Sequence, residues 1–467
     1  MTDMTARFAT IVGAHHILTG DAISDDYAHD EVLTKPPQRP AYLAKPATAD
    51  EVAQLLKAAS DNQVPVTARG SGTGLSGAAI PRADGLLISF ERMNAVLEVD
   101  VTNQVAVVQP GVTLTELDAA TAGTGLRYMV HPGELSSSVG GNVGTNAGGM
   151  RAVKYGIARH NVLGLQAALP TGEIIRTGGK IAKVSTGYDL TQLIVGSEGT
   201  LALATEVIVK LHPRLDHSAT VLAPFADFDQ VMQAVPKILA SGMAPYILEY
   251  IDNVTMAALV HTQNLELGVP DDVRDSCQAY LVVALENRTV DRLDEDVETT
   301  GELLAELGAV DAYVLDGGAA RKLIEAREKA FWTLKALHAD DLIDTVVPRG
   351  AMPKFLSAAR DLATAAGGAA AGCGHAGDGN VHLAIFCPDP ATRKKLLTDI
   401  FALAMELGGA ISGEHGLGRA KAPYFVALED PVKVDLMRRI KASFDPAGIL
   451  NPDVVFASGD AKSRQVP

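Results

Sequence analysis

Apolar positions recur at helical spacing behind Thr48-Ala49-Asp50-Glu51, where Val52, Leu55, Leu56 and Ala59 share one face. The Thr-x-x-Glu pattern ahead of them reads as a capping box, so a helix starts there. Asp61-Asn62 breaks it, and residues 64–67 resume as a short extended segment that runs directly into Arg69-Gly70-Ser71-Gly72-Thr73-Gly74-Leu75-Ser76-Gly77. A strand thus delivers a glycine loop. Extended runs follow at 85–90 and 104–108, and a second capping box, Thr113-Leu114-Thr115-Glu116, opens another helix. Residues 162–169 and 174–175 form a predicted hairpin closed by Pro170-Thr171-Gly172-Glu173. Beyond Leu211-His212-Pro213, strand-like stretches at 219–225, 246–251, 279–286 and 310–315 alternate with helix-like stretches such as 228–239 and 302–307, a second α+β unit. Helices at 393–407 and 432–444 complete the pattern before Asp445-Pro446-Ala447-Gly448. No short-period repeat or low-complexity tract interrupts it.

A chain of 467 residues is long enough for about two to four domains. Its 47% apolar and 21% charged residues are those of a globular protein and disfavour disorder. Forty Lys and Arg against 56 Asp and Glu leave a net charge of −16, which opposes a phosphate backbone, so no nucleic-acid partner is expected. Cys277, Cys373 and Cys387 are too few and too scattered for a disulfide framework or an iron–sulfur cluster. No apolar run approaches the roughly 20 residues of a membrane helix, and no secretory leader is recognisable. A cytoplasmic location is expected, with peripheral attachment to an electron-accepting membrane left open.

Glycine changes the picture most. Gly72 to Gly77 matches GxGxxG, the dinucleotide fingerprint. Pro81 and the extended run from Leu86 leave little room for the long helix that fingerprint requires, which argues against a Rossmann unit. The loop can still cradle phosphate as a nest of backbone N–H groups, or be a plain tight turn. A second cluster from Ser136 to Gly149 reads as a polar loop too long for an ordinary turn. A third pairs Gly187-Tyr188-Asp189-Leu190 with Gly196-Ser197-Glu198-Gly199-Thr200-Leu201. Three such segments in one domain point to a large, elongated cofactor.

Two further segments carry titratable groups: Gly374-His375-Ala376-Gly377-Asp378-Gly379-Asn380-Val381-His382, read as loop into strand, and Ser412-Gly413-Glu414-His415-Gly416-Leu417-Gly418. Each histidine alone is more often a structural hydrogen-bonder. Two histidines and a carboxylate together suit a divalent metal with open positions.

The ordered set RGSGTGLSG, SVGGNVGTNAGG, GYDLTQLIVGSEGTLALATEVIVKL, GHAGDGNVHL, SGEHGLG and FDPAGILNP resembles the FAD-linked oxidases of the vanillyl-alcohol-oxidase superfamily, and within it the D-lactate, glycolate and D-2-hydroxyglutarate dehydrogenase group. The resemblance covers roughly residues 36 to 455. It implies an α+β fold: a two-subdomain FAD-binding domain over 36–214, then an α+β cap domain over 215–455 with an antiparallel sheet, a helical C-terminal region and a C-terminal segment that contacts FAD. By similarity, Arg69, Gly70, Ser71, Gly72, Thr73, Gly74, Leu75 and Ser76 would hold the pyrophosphate. Gly140, Gly141, Asn142, Gly144, Asn146, Gly148 and Gly149 would line the flavin, with Pro132, Gly133 and Ser136 beside them, and Glu198, Gly199 and Asn451 would complete the pocket. The run His131-Pro132-Gly133-Glu134 departs from the usual pattern. FAD would be bound non-covalently, as is usual in this group.

The resemblance also implies that His375, His382 and Glu414 bind zinc or manganese, that His415 is the catalytic base, and that Arg327 grips the substrate carboxylate. Arg349 lies in a related segment, and Arg327 could instead be a solvated helix residue. Where the D-2-hydroxyglutarate enzymes often carry a lysine, this chain has Asp344-Thr345-Val346-Val347-Pro348, a pattern more like D-lactate or glycolate members. The expected reaction is oxidation of a small anionic D-2-hydroxy acid to the 2-oxo acid. A quinone, an electron-transfer flavoprotein or another acceptor would take the electrons, and a homo-oligomer is compatible. The rivals are the catalytic flavoprotein subunit of an electron-transfer assembly, a D-2-hydroxyglutarate dehydrogenase, and a non-catalytic flavin- or metal-binding protein.

Overall fold

The computed structural model describes residues 4–456. They divide into two compact units: residues 4–147, 157–213 and 414–456 form the first, and Gly148–Gly156 with Arg214–Gly413 form the second. The division near 214 falls where the sequence pattern changes, but the partition is not linear, because the C-terminal segment belongs with the first unit and a nine-residue insert belongs with the second.

The first unit contains two layered cores. In the four-stranded sheet the order is Ile17–Thr19, Tyr42–Ala44, Leu86–Ser89, Val66–Arg69. The last two pairings are parallel. Helix Ala49–Asp61 covers the sheet through Val52, Leu55, Leu56 and Ala59, the face that the spacing predicts. Thr48 caps it as expected, accepting from the Glu51 amide, while the Glu51 carboxylate reaches one residue further back, to the Ala47 amide. The five-stranded sheet is wholly antiparallel, in the order Val96–Asp100, Val105–Val108, Leu203–Lys210, Val162–Ala168, Ile174–Gly178. It contains the expected hairpin, with Ala168 opposite Ile174. The second capping box is complete: Thr113 and Glu116 satisfy each other's amides at the start of helix Leu114–Thr121. No helix follows Arg69 before Leu86, which excludes the Rossmann arrangement.

One expectation needs correction. The Ser136 to Gly149 segment is not a continuous loop, because Val139–Thr145 is a helix capped by Ser138. Three glycines in seven residues hide it from propensity, and the burial of Val139 and Val143 against Leu114 and Leu117 stabilises it.

The second unit is built on a seven-stranded antiparallel sheet in the order Tyr313–Leu315, His217–Phe225, Ala279–Asn287, Ile247–Asp252, Ala369–Gly374, Asn380–Phe386, Asp341–Val346. The central strands are apolar on both faces because helices such as Phe228–Ala240 and Met352–Ala365 also bury against the unit's core. The three cysteines are buried free thiols. Among the described residues no helix is long and apolar enough to cross a membrane.

The C-terminal return is tied into the first unit by polar groups that burial has stripped of water. Leu450 bridges Val66 in parallel fashion, and Lys441 donates to the carbonyls of Thr200 at 2.7 Å and Leu450 at 2.9 Å. Asn451 donates to the carbonyls of Ala78 and Glu198 at 2.9 and 2.7 Å. Glu198 itself, buried, accepts the amides of Leu417 and Gly418, each at 2.8 Å. Burial pushes its carboxyl from the ordinary 4.5 up to about 7, against the opposing pull of those two amides and of Lys421.

A folded-state pKa raised in this way adds stability that is present in full below about pH 4.5 and is lost as pH rises through about 7. Denaturant titrations across that window should show the wild type losing on the order of 3 kcal/mol relative to Glu198→Gln, which cannot titrate. Parallel pH profiles for the two proteins would show that the carboxyl is not perturbed.

Candidate functional site

Within the first unit, the structure brings the three glycine-bearing segments together. The Ser71 hydroxyl donates to the Ser136 carbonyl at 2.6 Å, and the amides of Gly196 and Glu198 donate to the carbonyls of Val143 and Gly144 at 2.8 Å. Gly70 has no room for a side chain, since a Cβ there would stand 1.9 Å from Ser138 Oγ; at Gly140 it would meet Pro110 at 2.5 Å. Gly199 has φ 69 and Gly133 φ 83, left-handed positions that glycine holds without strain. Asn146 caps its helix in the left-handed region and accepts the Arg159 amide at 2.9 Å. Gly148 and Gly149, expected in the same lining, fall in the second unit.

Arg69 is buried at the end of its strand, donates to the His29 carbonyl at 2.5 Å and lies 5.7 Å above the Tyr27 ring. Burial lowers its pKa, while Asp30 opposes that shift. The Asp30 carboxyl, raised in turn by burial, accepts the amides of Val32 and Ala79. Tyr27, His29 and Asp30 lie before residue 36 and have no periodicity that the sequence reading could use. They brace the loop that the pyrophosphate would occupy.

A FAD site requires oriented polar groups with nothing else to bind. The buried Ser137 hydroxyl and the buried Asn142 amide nitrogen find no hydrogen-bond partner among the described residues. Such orphans are costly unless a ligand completes them, so the residues present fit the cofactor. Glu198 and Asn451 have a different role, because their polar side-chain atoms are committed to the protein's own backbone.

The second unit gathers Arg327, His375 and His382 around two carboxylates that the sequence did not single out. Glu249, on strand Ile247–Asp252 with its side chain 1% exposed, forms an ion pair with Arg327 Nη2 through one oxygen and accepts His375 Nδ1 on the other, both at 2.7 Å. Arg327 is 7% exposed, which overturns the solvated alternative. A carboxylate can only accept, so Nδ1 carries the hydrogen and the His375 lone pair sits on Nε2. Asp344, fully buried and directly opposite His382 in the sheet, lies 3.5 Å from His382 Nε2. It also accepts Asn380 Nδ2 and Ser412 Oγ at 2.8 Å and the Gly413 amide at 3.1 Å. The two imidazoles meet edge to face at 5.0 Å, with a ligand nitrogen of each within 4.8 Å of the other.

The glycines of this stretch are steric necessities. A Cβ at Gly372 would stand 1.9 Å from the His382 carbonyl, and one at Gly374 would stand 2.3 Å from that of Asn380. Arg349 Nε donates to the Gly377 carbonyl and steadies the turn between the histidines. Glu414 and His415 begin the return to the first unit, their side chains 4.0 Å apart. Glu249 sits in an apolar strand pattern that reads as core, and Asp344 lies in a stretch recorded only for lacking a lysine; only their burial and partners show what they do.

The family described as FAD binding domain matches residues 40–178, and FAD linked oxidases, C-terminal domain, matches residues 214–455. An uncharacterised FAD-linked oxidoreductase of Mycobacterium tuberculosis is 80% identical over 98% of this chain and 99% of its own. A D-lactate dehydrogenase of Anaerostipes hadrus is 35% identical over 96% of each chain, and the glycolate oxidase subunit GlcD of Bacillus subtilis is 38% identical over 91% of each. Among solved structures, p-cresol methylhydroxylase superposes with a TM-score of 0.81 at 17% identity, over 98% of this chain and 97% of that one, a likeness of fold. The chain belongs to the FAD-linked oxidases, with D-lactate dehydrogenase and the glycolate oxidase subunit GlcD among its relatives.

Proposed function

We propose that the protein oxidises a small D-2-hydroxy acid of the D-lactate or glycolate type to the 2-oxo acid. The observation that carries this reading is the buried row Arg327, Glu249, His375, in which one carboxylate orients both a guanidinium and an imidazole. A guanidinium presents its donors in a fixed fork whose geometry matches a substrate carboxylate. An imidazole whose Nδ1–H is held by a carboxylate is the usual form of a metal ligand through Nε2. His375 and His382, with Glu414 as third ligand, would hold zinc or manganese, which would supply a Lewis acid for the substrate oxygens. Arg69 to Ser76, Ser136, Gly140 to Gly144 and Asn146 would hold FAD, which when bound supplies the two-electron acceptor.

Oxidation removes the hydroxyl proton and the C2 hydrogen with its electron pair. His415 takes the proton, a task suited to a neutral imidazole near pH 7. Arg327 fixes the carboxylate and thereby which face of C2 is presented, which is the basis of D-selectivity. The name subunit on the Bacillus subtilis relative supports a second reading, a catalytic subunit whose electron transfer needs a partner protein. Turnover of D-lactate or glycolate with an artificial acceptor only after a partner is added would favour it.

Purified protein should contain about one FAD per chain, released by acid precipitation, and D-2-hydroxy acids should bleach it anaerobically faster than their L-forms. Arg327→Lys should keep FAD and weaken substrate use, since a point charge replaces the fork; equal rates would remove Arg327 from the site. Alanine at His375, His382 or Glu414 should cost metal and activity together, whereas His415→Ala should retain both metal and FAD while flavin reduction slows by about 10²-fold or more. Metal analysis beside stopped-flow reduction separates the roles. An active enzyme that contains no divalent ion and is unaffected by chelation would refute the metal assignment.

A further inference from the structure

A histidine placed between Gly413 and Gly416 has little local constraint, and the loop's two downstream glycines, Gly416 at φ 79 and Gly418 at φ 50, are in left-handed conformations. Such a segment does not aim a side chain by itself. The structure holds it at the histidine's own carbonyl and along the three residues that follow. Ser76 Oγ, on a residue 2% exposed, lies 3.1 Å from the carbonyl of His415 and 3.0 Å from that of Gly416. The two oxygens of Glu198, on a residue 7% exposed, take the amides of Leu417 and Gly418. Four consecutive residues, 415 to 418, therefore each have a backbone group bound to one of two buried side chains.

We infer that Glu198 and Ser76 are positioning residues that fix the direction of the His415 imidazole. The inference rests on the reading of His415 as base. Three further observations support it. Both contacts are close enough to dictate glycine: a Cβ on Gly416 would stand 2.9 Å from the Glu198 carboxyl carbon, and one on Gly418 would stand 1.9 Å from the Ser76 carbonyl oxygen. Glu198 is held in turn, its amide donating to the Gly144 carbonyl and its carbonyl accepting from Asn451. It also occupies φ 51, a left-handed conformation that a glutamate adopts only when its surroundings impose it.

The residue type is informative as well. Two parallel N–H donors need two acceptors, which a carboxylate supplies and an amide side chain does not. Both residues stand on segments that hold the cofactor-binding loops together, so the direction of the base and the shape of the FAD cradle are set by one set of contacts. The role is distinct from merely bracing the fold because it acts at one imidazole, and that imidazole can be observed.

The test uses Glu198→Gln and Ser76→Ala holoenzyme, each checked for FAD content and melting behaviour, with two readouts. In the first, flavin reduction is compared in the wild-type and His415→Ala backgrounds. Each variant should slow reduction by about tenfold where His415 is present and add little where it is absent, as for residues acting through one group. Equal slowing in both backgrounds, or none in either, overturns the proposal. In the second, histidine imidazoles are followed by NMR at one fixed pH in nitrogen-15-labelled protein, with His415 assigned by its loss in His415→Ala. Its chemical shift should move in Glu198→Gln and Ser76→Ala and return in Ser76→Thr, which restores the hydroxyl. An unchanged His415 signal in a folded variant overturns the proposal. If His415→Ala reduces flavin at the wild-type rate the base assignment fails, and the NMR readout still decides whether Glu198 and Ser76 orient that imidazole. Should Glu198→Gln fail to fold, Ser76→Ala carries both readouts.

Discussion

A carboxylate taken out of water has to be matched by donors, and the second unit is organised around that requirement. Glu249 meets it with Arg327 on one oxygen and His375 on the other, so a helix and a strand end are fixed to the central strand by one residue. Removing any member would leave charge or polarity buried without compensation, which costs several times what the contact itself contributes. Asp344 repeats the arrangement three strands away, holding Asn380, Ser412 and Gly413 while facing His382. The histidines are therefore oriented before any ligand arrives, and the desolvation that makes the carboxylates expensive also makes the orientation firm.

In the first unit the constraint is steric. Neighbouring atoms approach closely at Gly70 and Gly416, where they belong to the side chains of Ser138 and Glu198, and at Gly140 and Gly418, where they include the backbone of Pro110 and Ser76. Where side chains do enter, some are committed to the protein's own backbone, Glu198 to two amides and Asn451 to two carbonyls, and others are left unsatisfied, as Ser137 and Asn142 are. The second pair is consistent with a cofactor site and the first with its scaffold. Residue type alone did not separate them, because an Asn in a glycine-rich stretch reads the same in either role.

Legibility in the sequence followed from how local the determinant is. The helix start capped by Thr48, the capping box at Thr113, the hairpin closed at 170–173 and the absence of a helix after the first glycine loop are set within a few residues, and the chain announces them. Helix Val139–Thr145 was hidden because its glycines argue against it and its stability comes from distant partners in the core. Tyr27, His29 and Asp30 carried no signal of their own because they serve Arg69, 39 to 42 positions away. Glu249 and Asp344 were illegible for the same reason: a charge in a strand pattern has no meaning until its partners, from other strands and helices, are beside it.

The partition of the chain has a consequence for its synthesis. Passing from 147 to 148, 156 to 157, 213 to 214 and 413 to 414, the polypeptide changes unit four times. Val66 pairs with Leu450, and Glu198 with Leu417 and Gly418, across separations of 384 and about 220 positions. During translation the first unit waits for nearly the whole of the second to emerge before it can close, with the edge of its parallel sheet unpaired meanwhile. Most of the second unit, by contrast, arrives as one uninterrupted stretch from 214 to 413. Nascent chains should therefore acquire a folded C-terminal domain before a folded N-terminal one, an inversion of the usual vectorial order that exposes the cofactor domain, rather than the cap, to chaperones and proteases.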